Sequence, residues 1–588
     1  MPIVGSNEND VILGTAAAET IAAGAGNDVV WGGGGADTIE GGSGRDTVVY
    51  RTSAAAVTVN LSVSGPQASG GDAAGNTLVG IESVAGSRFD DTLIGDAGAN
   101  NLNGGAGADY LDGGAGIDTA IYSSSAAAVR IDLSSSGPQS GGDAEGDVLV
   151  SIENVVGSRF ADTLIGDNGD NVFTGGAGAD TIIGGGGVDI ASYAGSSAAI
   201  NVVLGRAVQS GGEAEGDRLT SIEGVYGSRF NDVIIGDNGD NVLSGGAGDD
   251  YLVGGGGFDR LNGGAGNDTL VISGLARADG GEGTDKLVID VSAYNAGVSG
   301  GKGFFVTAGP NAGEILVSTS SGFETGSKTK VLTGFEQLEY HGTQHDDFVT
   351  GLRGGDDRLF GGAGNDSLIG DGGADYLDGG AGDDFLNGRQ MVEDGTYANG
   401  ADVLFGGDGN DRLMVDEGFA YADGGAGTDT LYLWTNPYLD QVIDLSEDSL
   451  LMLRMESIEK IIVWTGEGDD TLIGGAQDDT FVAGAGNDVL YGGDGDDLLT
   501  GGAGADTFVF SGTAGSGFDT VTDFTVGDLI AFGSESLIGG YSDFLAAATQ
   551  TADGVLLAIG GAGDGVLFAG TTLSDFSAAS FTDTNPIG

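Results

Sequence analysis

Residues 483–506 read AGAGNDVLYGGDGDDLLTGGAGAD. An acid recurs there every nine residues, at Asp488, Asp497 and Asp506, and two residues after each comes an apolar side chain, Leu490, Leu499 and Phe508. Glycines crowd the positions before each acid, so the unit is GGxGxDxUx with U apolar. Working outward, the same ladder opens the chain at Asp10, Glu19, Asp28, Asp37 and Asp46. It returns at Asp91, Asn100, Asp109 and Asp118, then at Asp162, Asn171, Asp180 and Asp189. A longer block runs through Asp232, Asn241, Asp250, Asp259 and Asp268, with Asp285 beyond it. The second half carries it at Asp357, Asp366, Asp375 and Asp384, then at Asp402, Asp411 and Asp429, and finally at Asp470 and Asp479, which lead into the quoted stretch.

The unit dictates its geometry. The D-x-U stretch is a very short strand whose apolar residue points inward, as strand alternation requires. The glycines turn the chain sharply, because such turns need φ > 0 and close backbone approach. Strand plus turn is half a coil, so two units, eighteen residues, make one full coil of a parallel solenoid. The fold class is therefore all-β, a parallel β-roll or β-helix. Turns one coil apart lie on the same edge, and their acids repel unless a cation sits between them. Carboxylates and turn carbonyls are hard oxygen donors and suit Ca²⁺. All the aspartates named above are the candidate metal ligands.

Composition narrows the function. Glycine takes 120 of 588 positions, against a usual ~7%. Only 6 prolines and no Gly-X-Y period exclude collagen. Lys+Arg 20 against Asp+Glu 88 leaves a net charge of −68, which argues against nucleic acid or an anionic membrane as partner and for cations. With no cysteine, disulfides and thiolate metal sites are out. No apolar run approaches a membrane span, and the start, Met1-Pro2-Ile3-Val4, has no basic n-region or apolar h-region.

The stretches GGAGADYLDGGAGID (104–118) and 483–506 resemble the RTX, or hemolysin-type calcium-binding, family. The resemblance implies a parallel β-roll with Ca²⁺ between turns, held by the repeat aspartates and loop carbonyls. Asn100, Asn171 and Asn241 stand where that family has Asp, so the edges containing them are expected to bind weakly or not at all. The end of the chain, with GFDTVTDFTVGDLIAF (517–532) and GVLFAGTTLSDFSAASF (565–581), resembles the C-terminal region of serralysin-type proteases and alginate-epimerase modules. That resemblance implies an end cap carrying an uncleaved type I secretion signal, with Phe518, Val521, Phe524, Ile530 and Phe532 covering the open end.

Three segments between ladders repeat at 70–71 residues, each with an Ile-Glu pair: Ile81-Glu82, Ile152-Glu153 and Ile222-Glu223. Asp46 to Glu82 is 36 residues, which reads as two whole coils, metal-poor, with Val57, Val59, Leu61, Leu78 and Val84 in the core. Phe335-Glu336 and Ile458-Glu459 repeat the pair. Asp384 to Asp402 and Asp411 to Asp429 are 18 apart, read as single coils with Glu393 and Ala420 in the intervening slots. The expected organisation is a first roll block (1–50), a three-block solenoid (51–272), elaborated coils (273–345), a roll block (346–431), insert coils (432–464), a roll block (465–509) and a cap with secretion signal (510–588).

Catalytic signatures are weak. The only histidines, His341 and His345 in HGTQHDD, have Gly342 where the HExxH of a serralysin has its Glu, and read as turn residues. Gly297-Val298-Ser299-Gly300-Gly301 matches GxSxG but lies between strand-like runs, not at a strand–turn–helix elbow. Trp434-Thr435-Asn436-Pro437-Tyr438 reads as lateral packing ahead of a sugar platform. The expectation is a secreted, Ca²⁺-dependent protein, unfolded without the ion and folded with it, serving a surface layer, biofilm matrix or adhesion. Its expected partners are Ca²⁺, the type I secretion machinery and a cell-surface or matrix polysaccharide. The alternatives are a secreted polysaccharide-active enzyme and a pore-forming toxin.

Overall fold

The computed structural model describes residues 2–68, 70–274, 276–293, 304–308, 315–318, 330–389, 400–416, 421–435, 438–445, 454–511, 516–533, 536, 538–559, 563–582 and 586–587. The D-x-U tripeptides form strands, such as Thr92–Ile94, Thr163–Ile165 and Thr471–Ile473, each with only its middle residue buried. Three residues suffice because the glycines on either side bend the chain before a fourth can pair. Strands pair in parallel at an offset of one coil: Val11↔Val29, Ile12↔Val30 and Leu13↔Trp31. The apolar column Val30, Val48, Leu102, Val155, Phe173, Val225 and Leu243 is the narrow core, each residue 0–1% exposed. Sealing one such side chain from water contributes roughly 1.5–3 kcal/mol.

The chain forms two compact units, Met1–Asp285 and Lys286–Gly588. In the first, one 13-stranded parallel sheet runs from Val11–Leu13 to Arg277–Glu282. Alternate strands of the chain enter a succession of shorter sheets: Ile3–Val4 to Thr77–Val79, then Thr58–Asn60 to Val148–Val150, then Arg130–Asp132 to Arg218–Thr220. A further run begins at Asn201–Val203, which pairs with Val233–Ile235.

This succession corrects the reading of the long segments. Thr47 pairs directly with Ser83, and Val48 with Val84, so the 36 residues from Asp46 to Glu82 make one enlarged coil, not two. The extra chain runs sideways. Thr58–Asn60 starts a new sheet while Thr77–Val79 closes the old one, joined through a short 3₁₀ turn at Gly71–Ala73. Gly142–Ala144 and Gly212–Ala214 repeat that turn. A lateral excursion need not match the eighteen-residue period, which is why the three spans differ in length. Val57, Val59, Leu78 and Val84 are buried as expected, whereas Leu61 is half-buried.

In the second unit the coils continue from Lys286–Asp290 through Gln337–His341, Arg358–Ala363, Tyr376–Ala381, Val403–Asp408 and Tyr421–Ala426. Phe305–Ala308, Ile315–Ser318 and Lys330–Leu332 form an antiparallel meander on the strand Phe348–Thr350, so the described strands of 286–345 elaborate a coil. Tyr376 pairs with Val403 and Phe385 with Arg412, both 27 apart, so the step from Asp384 to Asp402 is an enlarged half-coil rather than a whole one. Glu393 and Ala420 lie outside the described residues, as do residues 297–301 with Ser299. Asp411 to Asp429 is one coil, as read, with Arg412 paired to Thr430. At the C-terminal end, Phe524, Phe544, Phe568 and Phe576 stack within 4.9–6.1 Å of one another over the last coils, with the helix Tyr541–Ala547 supplying Phe544. Val521, Phe524 and Ile530 are buried in this cap, and Phe518 and Phe532 are half-buried.

Candidate metal sites

Each rung of the ladder is tied to the next by one repeated bond. The backbone N–H of an acid donates to the first carboxylate oxygen of the acid one coil later. Asp10 donates to Asp28 at 2.7 Å, Asp28 to Asp46 at 2.8 Å and Asp91 to Asp109 at 2.7 Å. In the second unit Asp366 donates to Asp384 at 2.7 Å and Asp470 to Asp488 at 2.8 Å. The carboxylates therefore point along the solenoid, toward the preceding coil, and are buried.

The second oxygen is the informative one. Oδ2 is buried with no hydrogen-bond donor at Asp28, Asp37, Asp46, Asp109, Asp118, Asp180, Asp189, Asp250 and Asp268. The same holds at Asp366, Asp375, Asp384, Asp411, Asp429, Asp470, Asp488 and Asp497. A buried polar oxygen left unpaired costs about 1–3 kcal/mol, more when charged. The local backbone leaves room for this oxygen alone: a Cβ on Gly32 would sit 2.8 Å from Asp37 Oδ2, and one on Gly41 2.5 Å from Asp46 Oδ2. A turn carbonyl of the coil after shares the gap: the Cβ on Gly41 would also meet the Gly80 carbonyl, and one on Gly113 would meet the Ser151 carbonyl and sit 2.6 Å from Asp118 Oδ2.

Such a gap resists holding naked charge. Burial, reinforced by neighbouring acids and opposed by the backbone N–H, pushes the carboxyls of Asp109 and Asp366 up to about 8, and those of Asp250, Asp384 and Asp488 up to about 7. Among the described residues no three His, Asp or Glu side chains converge as a metal cluster. The donors available are one carboxylate and the carbonyls of the adjoining turn, all hard oxygens. That set fits Ca²⁺ and not a nitrogen- or sulfur-seeking metal. A divalent ion there would pair the orphaned oxygens and offset the repulsion between rungs.

Other candidate acids keep the ladder bond without a donorless Oδ2. Asp259, Asp402 and Asp506 accept from Asn241, Asp375 and Asp488 at 3.0, 2.9 and 3.0 Å. Asp285 accepts from Asp268 at 2.8 Å. Asp479 departs from the pattern: its Oδ2 takes the Gly475 N–H at 3.3 Å, and its buried Oδ1 is the oxygen without a donor.

A further group is closed. Asp10, Asp91, Asp162 and Asp232 each take the N–H of a serine four residues earlier, Ser6, Ser87, Ser158 or Ser228, at 2.5 Å. Asp357 takes the Leu352 N–H at 2.5 Å and the Leu338 N–H at 2.7 Å. At Asn100, Asn171 and Asn241 the amide oxygen accepts from Asp96, Asp167 and Asp237, while Nδ2 donates to the carbonyls of Glu82, Glu153 and Glu223 one coil earlier. Those amides supply a donor where the other rungs have none.

Sequence reasoning missed several rungs. Asp147 and Asp217 sit in the ladder, accepting from Asp109 and Asp180 at 2.8 and 2.7 Å, and their second oxygens take the hydroxyls of Tyr122 and Tyr193, both at 3.0 Å. Asn76 does the same beneath Asp37, with Tyr50 beside it. Glu82, Glu153, Glu223 and Glu459 also fill rungs, accepting from Asp46, Asp118, Asp189 and Asp429 at 2.8–2.9 Å. A signal was present: a tyrosine four residues after the last acid of each early block, at Tyr50, Tyr122 and Tyr193.

The remaining candidates are engaged in packing. His341 Nε2 lies 2.8 Å from Glu339, and its ring stacks on Phe360 at 4.9 Å. The His345 N–H donates to Thr343 in a turn. Trp434 stacks on Trp464 at 4.5 Å with Arg389 over its ring, so its faces are largely covered by protein, as the packing reading expected. Among the described residues no helix is long and apolar enough to cross a membrane.

A family model described as RTX calcium-binding nonapeptide repeat matches residues 13–48, 86–120, 156–191, 226–261, 244–271, 353–386, 398–419, 462–490 and 473–508. No curated protein matches the chain. Among solved structures, the extracellular lipase LipA from Serratia marcescens aligns at 18% identity over 60% of this chain and 40% of the lipase, with a TM-score of 0.15. The aligned part thus spans well under two thirds of the lipase, and at that score the likeness decides nothing about shape or activity. The matched blocks coincide with coils that carry orphaned carboxylates: the chain carries RTX calcium-binding nonapeptide repeats in both units, and they fold as coils of its parallel β-roll.

Proposed function

We propose that this chain is a secreted solenoid that folds on meeting extracellular Ca²⁺ and then acts as a structural or adhesive element of a surface layer or matrix. The single observation that carries the folding half is the column of buried carboxylate oxygens with no donor. A chain with 88 acids and a core one residue wide gains folding free energy from every ion it takes up. Extracellular modules bind Ca²⁺ at about 10⁻⁴–10⁻³ M, far above cytosolic levels, so the chain stays unfolded for export and hardens outside. The aspartates with an open Oδ2 are the ligands in this reading, and the C-terminal cap carries the secretion signal.

The structural role is supported by how little is left over. His341, Trp434 and Trp464 are engaged in ring stacking, and the described coils of 286–345 and 430–464 stay within the roll. Circular dichroism across a Ca²⁺ titration tests the folding half: β-signal should appear only with the ion, and equal signal in chelator refutes it. Sedimentation with envelope or matrix polysaccharide, with and without Ca²⁺, tests the adhesive half. Turnover of acidic polysaccharide by the purified chain would replace it with an enzymatic role.

A further inference from the structure

Open and closed rungs differ at one position, four residues before the acid. In the open turns of the first unit it is a left-handed glycine, as at Gly105 before Asp109 (φ 96°), Gly176 before Asp180 (φ 89°) and Gly246 before Asp250 (φ 110°), and before Asp375 it is Asp371, also left-handed (φ 64°). With that sign of φ, the turn leaves Oδ2 without a donor. In the turn one coil earlier the position is Ser87, Ser158 or Ser228, none of them at positive φ. There the serine N–H donates to Oδ2 at 2.5 Å and the serine hydroxyl to Oδ1 at 2.8–2.9 Å. Oδ1 also takes an N–H from the coil before, of Val57, Val129 or Ile200, at 2.7–2.8 Å. Both oxygens are then satisfied within the protein.

The placement is systematic. Ser6 closes Asp10 and Thr15 closes Glu19, the first acids on the two edges of the chain's first coil. Thr343 closes Asp347 in the same way at the head of a block in the second unit, at 2.7 Å. The coil before Asp91, Asp162 and Asp232 enters at Val57, Val129 and Ile200 from 52–56, 124–128 and 195–199, none of which is a Gly-rich turn.

We propose that a serine or threonine four residues ahead of the ladder acid makes a metal-free clamp, and that such clamps, not ions, begin the ladders headed by Asp10, Asp91, Asp162, Asp232 and Asp347. Asp91, Asp162 and Asp232 then bind no Ca²⁺. The first ion of each block enters one coil later, on Asp109, Asp180 and Asp250. This deepens the proposed function and rests on its reading that ions fill the open gaps.

The test compares two triple variants, Asp91→Asn with Asp162→Asn and Asp232→Asn, against Asp109→Asn with Asp180→Asn and Asp250→Asn. Bound Ca²⁺ per chain is measured by elemental analysis after dialysis at millimolar free Ca²⁺, with circular dichroism as the check on folding. The clamp set should retain the wild-type ion count, and the open set should lose at least one ion per substituted acid. Equal losses from both sets overturn the clamp and leave the calcium reading standing. No bound Ca²⁺ in the wild-type chain overturns both. Should the clamp set fail to fold, Ser87→Ala with Ser158→Ala and Ser228→Ala keeps the main-chain donor. It should then bind the full complement of ions while melting earlier, and loss of ions from it overturns the clamp.

Discussion

The Gly-rich ladders and the long coils between them share one core and one register yet are cemented differently. At 104–118 the carboxylates face carbonyls across the gap, and nothing in the chain completes them. In the enlarged coils that lead to Asp91, Asp162 and Asp232, those three acids are closed by serines, Asp147 and Asp217 by tyrosine hydroxyls, and Asn76 stands in place of an acid. The difference teaches what the glycines accomplish. They do more than turn the chain: by withholding an N–H they leave an oxygen that only a cation can satisfy. One fold can therefore alternate ion-dependent and ion-independent coils simply by exchanging a glycine for a serine.

The largest effect that could break this comparison is chelation. In EGTA the amides of 104–118 and 175–189 should lose hydrogen-exchange protection by orders of magnitude, while Gln139 and Gln209, whose N–H groups bond Asp147 and Asp217 within the closed coils, should lose less. Uniform loss would erase the distinction. Next in size, Phe173→Ala should cost about 3–5 kcal/mol, since Phe173 fills the core at 0% exposure. Its denaturation midpoint in saturating Ca²⁺ should fall without a change in the number of ions bound.

Tyr122→Phe and Tyr193→Phe should each cost about 1–3 kcal/mol by stranding a buried Asp oxygen. The loss should show in urea midpoints without changing the number of ions bound. Smallest is a pH effect in chelator. The carboxyls of Asp109 and Asp366 rise to about 8 and those of Asp250 and Asp488 to about 7 on folding, chiefly through burial. A carboxyl raised on folding binds its proton more tightly in the native state. The ion-free chain should therefore be most stable below about pH 4, and lose that stability as pH climbs toward 8. Whatever residual β-signal the chain keeps in chelator should be greatest at the acid end of that range and fall with rising pH. Saturating Ca²⁺ should reverse the trend, because protons then compete with the ion.

Much of this was legible in the chain. The nine-residue period gave the strands, the inward column and the ladder, because a turn–strand unit repeats its physics each time it repeats its letters. Coil counting in the long segments was not legible. A sideways excursion and an extra coil both lengthen the chain between rungs, and only the pairing of Thr47 with Ser83 tells them apart. The clamps were also hidden, since Asp91 and Asp109 occupy the same repeat position and differ only in which way a neighbouring N–H points. Asp147 and Asp217 escaped because the excursions shift them off the nine-residue count, while their tyrosines sit 24–25 residues away.

The most direct test is long-wavelength diffraction from Ca²⁺-grown crystals. Anomalous peaks should lie between successive coils beside the carboxylates of Asp109, Asp180, Asp250, Asp366 and Asp488. Those side chains swung outward into solvent, with no anomalous scatterer in the gaps, would contradict the account.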